Sequence, residues 1–182
     1  MGTVVLDREL DLDQPALIEG LPGVGLVGKI ATDHVVETLD MTEVGYVDCE
    51  GLPKIAIYGD GDHDVTTPVR IYADEDRDLL ALQSDIPVSR QAAPGFAETL
   101  IDWIEAQDAL PLFLSGLALE AAKPEERPAV FGVVTGAAET ELTAHDVEAP
   151  REKGVIGGPT GALVNRASHA DLDACGLIVE SD

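Results

Sequence analysis

Positive charge is what this chain has least of. Eleven lysines and arginines face 35 aspartates and glutamates, giving a formal net charge of −24 and a pI near 4.1. That field repels phosphate backbones and anionic lipid, so nucleic acid and membrane surfaces are excluded as direct partners. Aromatic residues make up only 4% of the chain, and there are two cysteines. Cys49 and Cys175 lie far apart in strand-like runs, without C-x-x-C spacing or a neighbouring histidine pair, and both are expected to be buried free thiols. No apolar run reaches the roughly 20 residues of a membrane span, and no cleavable leader opens the chain, so a cytoplasmic location is expected.

What is present is a core-forming composition. The acids are spread between apolar stretches rather than collected in a tail, and 45% hydrophobic residues with a mean hydropathy of +0.09 argue against disorder. With plentiful Ala, Val and Gly, this is the composition expected of a halophile's cytoplasmic protein, in which concentrated salt screens self-repulsion. A length of 182 residues predicts one domain over 1–182.

The stretch that organises the chain runs from Ala16 to Ala31. It predicts a short buried strand, a turn of Gly and Pro, and the start of a helix. Two functional patterns overlie this turn. Gly23, Gly25 and Gly28 satisfy G-x-G-x-x-G between strand and helix, with Asp48 as a ribose-binding acid in the second strand of the unit. In another register Gly23 to Lys29 spells G-x-x-x-x-G-K, but Ile30 stands where a phosphate loop needs Ser or Thr for magnesium. A nucleotide- or phosphate-binding enzyme using Gly23, Gly25, Gly28 and Lys29 is therefore the alternative. The preferred reading is packing, in which small residues let a helix close on its strand.

The rest of the chain continues an α/β pattern. Strands are predicted at Thr3 to Leu6, as an edge, and at Val44 to Cys49, Lys54 to Tyr58, Thr67 to Ala73, Leu79 to Ser84, Leu112 to Leu119, Ala129 to Gly136 and Cys175 to Glu180. The charged tip Asp74 to Asp78 makes a hairpin, and consecutive hairpins require a mixed sheet. Helices are predicted after Gly25, with Val27, Ile30, Ala31, Val35 and Leu39 as the buried stripe, and through Phe96, Leu100, Trp103 and Ile104. A short acidic helix follows at Ala137 to His145, and the last helix opens at Gly157-Gly158-Pro159-Thr160-Gly161. His34 flanks a stripe as a boundary residue, and Ser115 lacks the G-x-S-x-G elbow of a nucleophile. Gly59 to Asp64 alternates carboxylates but lacks the glycine position and terminal glutamate of a calcium loop. Ala121 to Pro128 is a polar connection. These residues supply no catalytic set and no metal site.

Glu19-Gly20-Leu21-Pro22-Gly23-Val24-Gly25-Leu26-Val27-Gly28-Lys29 and Gly154-Val-Ile-Gly-Gly-Pro-Thr-Gly-Ala-Leu-Val, near opposite ends of the chain, resemble the signature turns of the proteasome-assembly-chaperone family in its archaeal form. The resemblance implies a three-layer α/β/α fold with a mixed sheet, related to nucleoside phosphorylases, usually a homo-oligomer. It further implies a non-catalytic protein that binds proteasome core subunits, most simply the α type, without a cofactor. Gly20, Pro22, Gly23, Gly25, Gly28, Gly157, Gly158 and Gly161 are then structural turn residues. In a phosphorylase-like fold the Gly157 loop is also where an anion would sit, near Arg166; packing is again the preferred role. Relatives of this kind continue into C-terminal helices, some with a hydrophobic-Tyr-X tail, whereas this sequence ends at Asp182, just past a strand. Incomplete burial of Leu177, Ile178 and Val179 is the expected consequence.

Overall fold

A computed structural model describes residues 2–59, 61, 63–118 and 128–181. The polar connection expected at Ala121 to Pro128 lies, apart from Pro128, outside them, as do Asp60 and Asp62 of the acidic loop. In chain order the elements are β1 (Thr3–Leu6), β2 (Ala16–Gly20), α1 (Val27–Thr38), β3 (Thr42–Asp48), β4 (Val69–Asp74) and β5 (Leu79–Ser84). Then come α2 (Ala93–Ala106), β6 (Leu110–Ala118), β7 (Val130–Thr135), α3 (Glu139–Thr143), α4 (Gly158–His169) and β8 (Ala174–Ser181).

The strands form one eight-stranded mixed sheet in the order β1-β3-β4-β5-β2-β6-β8-β7. β5, β2, β6 and β8 run parallel, while β1, β4 and β7 each pair antiparallel with their neighbours. The interior strands are nearly continuous apolar runs because both their faces are covered. On one face Leu17 and Phe113 pack with Phe96, Leu100 and Ile104 of α2 and Leu163 and Ala167 of α4. On the other, α1 sets Val36 against Ala81, and α3 sets Leu142 against Cys175. Helices thus lie on both faces of a mixed sheet, as expected.

Three local expectations are corrected. The stripe of α1 that meets the sheet is Gly28, Thr32 and Val36, and Ile30 is 62% exposed. At about 100° per residue, position 30 lies some 200° round from position 28, so once Gly28 faces the sheet Ile30 faces away. Lys54 to Tyr58 is not a strand. It makes a single bridge, Ile57 to Thr66, because β1 and β4 already occupy both edges of β3. β7 is an edge rather than a buried strand, with Val130 and Val134 partly exposed beside the short α3. Leu177, Ile178 and Val179 are indeed only partly buried.

Among the described residues, all four α-helices stop in the same way. Asp40, Asp108, Asp146 and Asp171 follow α1, α2, α3 and α4 with φ of 50°, 52°, 56° and 55°. The next amide then bonds back to the fifth carbonyl before it: Met41 to Val36, Ala109 to Ile104, Val147 to Leu142 and Leu172 to Ala167, all at 3.0–3.2 Å. This is the Schellman stop, in which the left-handed residue is usually Gly or Asn. Here it is aspartate every time.

Candidate functional site

Because α1, α2 and α4 run antiparallel to the parallel strands, the connections at the strands' C-terminal ends gather the turns that the sequence singles out. β2 leaves the sheet through Leu21, Pro22 and Gly23 into a single 3₁₀ turn at Val24–Leu26. Gly25 there has φ 63°, a conformation that glycine adopts without strain. Close approach explains others. A Cβ on Gly20 would lie 2.4 Å from the Thr32 side chain, and one on Gly28 would press on the carbonyls of Glu19, Leu21 and Leu114 at 3.3–3.4 Å. On α4, a Cβ at Gly161 would lie 2.1 Å from the Ile156 oxygen. Gly23 and Gly157 have open space where a side chain would stand, and Gly158 combines open space with φ 64°. Pro22 is half-buried in the turn.

Beneath these turns sits Glu19, fully buried. Its Oε1 accepts the Leu21 N–H at 3.1 Å and the Thr160 hydroxyl at 2.9 Å, and its Oε2 accepts the Leu114 N–H at 3.2 Å. One carboxyl group therefore joins the β2 turn, β6 and the first turn of α4. No cation pairs with it among the described residues, and burial pushes its pKa up to about 7 against the opposing pull of the three hydrogen bonds. Sequence reading placed Glu19 in a motif but gave it no role. The only signal was a carboxylate inside an apolar strand.

The nucleotide patterns do not assemble. β3, which ends at Asp48, is separated from β2 by β4 and β5, so Asp48 cannot hold a ribose across a β2 turn, and it pairs instead with Lys54. Lys29 donates to Asp33 at 2.9 Å and lies 3.7 Å from Asp85, which leaves it tethered beside the helix. Arg166 pairs with Asp102 of α2 at 3.0 Å, away from the Gly157 turn. His34 is exposed, and Ser115 makes only a 3.5 Å contact with the Gly116 carbonyl. Among the described residues no group of three or more His, Cys, Asp or Glu is placed to hold a metal, and no helix is long and apolar enough to cross a membrane. Cys49 and Cys175 are buried and unpaired, and burial raises the Cys175 thiol.

A polar cluster that the sequence did not reveal braces α1. Arg70, 7% exposed, donates to Asp85 at 2.5 Å, to Gln83 at 3.1 Å, to Tyr72 at 3.0 Å and to the Thr67 carbonyl at 2.9 Å. Gln83 in turn donates to Asp33 of α1 at 2.7 Å. Residues of α1, β4, β5 and the connection after β5 meet here, which no spacing rule foretells.

The architecture is that of an α/β protein whose glycine turns close over a buried carboxylate, with no assembled catalytic set among the described residues. Residues 17–182 match the model of the PAC2 family, and the chain belongs to that family. It is 31% identical over 173 residues to an uncharacterized protein, MJ0106, of Methanocaldococcus jannaschii, covering 95% of this chain and 69% of that one. Over 110 residues it is 28% identical to Proteasome assembly chaperone 2 of Danio rerio, spanning 57% of this chain but only 41% of the relative. The crystal structure of Pyrococcus furiosus PbaA, described as an archaeal homolog of proteasome-assembly chaperone, superposes with a TM-score of 0.85 at 27% identity, over 100% of this chain and 76% of that one.

Proposed function

We propose that this protein is a non-catalytic binding module that engages proteasome core subunits of the α type, as a homo-oligomer and without a cofactor, in a salt-rich cytoplasm. The observation that carries the reading is the likeness to PbaA over the whole chain, a protein itself described as a homolog of proteasome-assembly chaperone. The unassembled nucleotide patterns and the tethered Lys29 add weight to it. Residues 1–182 act as one domain whose glycine turns serve packing rather than anion capture. Contact is made by the body of the domain. A complex near the micromolar range, about −8 kcal/mol, is expected. Salt screens charge steering and strengthens apolar burial, so the complex should form in molar KCl. The test is capture of purified α subunits by tagged protein at molar KCl. Enrichment of α subunits is the expected result, and their absence at all salt concentrations would overturn the reading.

A further inference from the structure

We propose that Glu19 and Thr160 form a proton-operated latch that holds the first turn of α4 on the ends of β2 and β6, and that loss of the proton frees this turn to swing on the glycines before it. The latch follows from what each partner of the buried carboxyl can do. An amide N–H only donates, so the Leu21 and Leu114 amides serve the carboxylate but cannot receive a proton from the neutral acid. A hydroxyl does both. Among these three partners only Thr160, itself 6% exposed, can accept, so the neutral acid carries its proton on Oε1 and gives it to Thr160 Oγ1 along the same 2.9 Å contact, reversed. Deprotonation leaves a full charge in the interior, and no cation answers it among the described residues. β2 has no other ionisable side chain, and β5, β6 and the first turn of α4 have none. Lys29 of α1 is held by Asp33 and Asp85, and Arg166, in the last turn of α4, by Asp102. Arg90 after β5, Arg151 to Lys153 ahead of α4, His34 and Glu37 of α1, Glu98 and Glu105 of α2 and His169 of α4 are exposed. Three donors and the start of a helix favour the anion, yet burial outweighs them.

The anion is relieved once water reaches it, and one of the three elements it joins is free to give way. β2 lies between β5 and β6, and β6 between β2 and β8, so neither strand moves without breaking a ladder on each side, and Leu21 is anchored in the core. The start of α4 is different. It follows Gly154, Gly157 and Gly158, each with open space where a side chain would stand, while Leu163 and Ala167 hold the rest of the helix in the core. The first turn can therefore lift without the helix leaving the sheet.

The test follows amide hydrogen exchange of the ¹⁵N-labelled protein in molar KCl, corrected for the intrinsic pH dependence of exchange. With the Glu19 pKa at about 7 when closed and 4.5 once hydrated, the advantage of the closed form is complete below 4.5 and is lost as pH rises through about 7. Protection at Gly161, whose N–H bonds the Gly157 carbonyl, and at Ala162 and Leu163 should fall about thirtyfold from pH 5 to pH 7 and change little more by pH 8.5. It should also lie below that of Ala81 and Leu82 in β5 at every pH. Glu19→Gln should remove the slope. Thr160→Val should cut protection of the three amides about tenfold at pH 5, whereas Thr160→Ser, which keeps the hydroxyl, should stay within about threefold of wild type. A flat profile in wild type, a slope that survives in Glu19→Gln, or full protection in Thr160→Val overturns the latch. So does exchange of these amides no faster than that of β5, which would mean that the proton is felt only through global unfolding.

Discussion

Where β2 finishes, the chain turns through Leu21 to Leu26 without a single charge; where the parallel strands begin, every connection that enters one of them carries a carboxylate. The entering connections hold Asp7 to Asp13, Glu75 to Asp78, Asp108, and Asp171 with Asp173. Their only cations, Arg8 and Arg77, are taken up by Glu75 and Asp74. The Arg8 guanidinium and the Asp11 N–H hold the Glu75 carboxyl down to about 2. Of the large hydrophobic side chains exposed among the described residues, all but Val134 lie at or near the other end. One end is thus built to meet salt and water. The other is the end at which a protein partner loses least on contact.

The largest expected effect tests whether the acidic end governs stability. Its carboxylates crowd around helix C-termini that already carry partial negative charge, so repulsion should dominate when the Debye length exceeds about 10 Å, near 0.1 M salt and below. The melting temperature should rise on the order of 10 °C between dilute buffer and molar KCl, as followed by circular dichroism. A flat profile would mean that charge is not what distinguishes the two ends, and would also remove the halophilic reading.

The next effect belongs to the other end and has the opposite salt character. The Glu19 carboxyl, raised from 4.5 to about 7, binds its proton more tightly folded than unfolded. Its contribution is therefore fully present below the unfolded value and is lost as pH rises through about 7, an effect of about 3 kcal/mol. Urea unfolding in molar KCl should show stability falling from pH 5 to pH 8 in wild type and nearly level in Glu19→Gln. The difference between the two curves isolates this group from the surface acids. Parallel curves would place the proton elsewhere.

How much of this was legible in the sequence follows from what each feature depends on. Strand and helix positions were readable wherever a repeat of apolar residues met a turn of Gly or Pro, as at Ala16 to Lys29 and at α4. The mixed sheet followed from the Asp74 to Asp78 hairpin. Lys54 to Tyr58 misled because β-branched and aromatic content records a preference, whereas a strand also needs a free neighbouring edge. Ile30 misled because apolar spacing was read without the closer contact that Gly28 makes. Glu19 gains partners from β6 and α4, 95 and 141 residues on in the chain, and Arg70 gains its partners through the pairing of β4 with β5, from Gln83 and from Asp85 just past that strand. Their roles exist only once the sheet order is known.

The smallest effect concerns the four helix stops, and it divides the acidic end's character into two parts. Each left-handed aspartate carries a backbone penalty that glycine lacks and a charge placed against the helix dipole. Asp108 and Asp171 suit the test, since both are exposed and both lie in connections that enter parallel strands. Replacing either with Asn keeps a residue that tolerates the left-handed region and removes the charge. That should add about 0.5 kcal/mol in dilute buffer and almost nothing in molar KCl. Replacing it with Gly removes the backbone penalty as well, and should add a further 0.5 kcal/mol or so at either salt concentration. The difference between the Gly and Asn variants should therefore be independent of salt, while the difference between Asn and wild type should vanish with it. If the Asn gain persisted unchanged in molar KCl, these aspartates would be opposing a contact rather than a field. The acidic end would then owe its character to local strain instead of to charge.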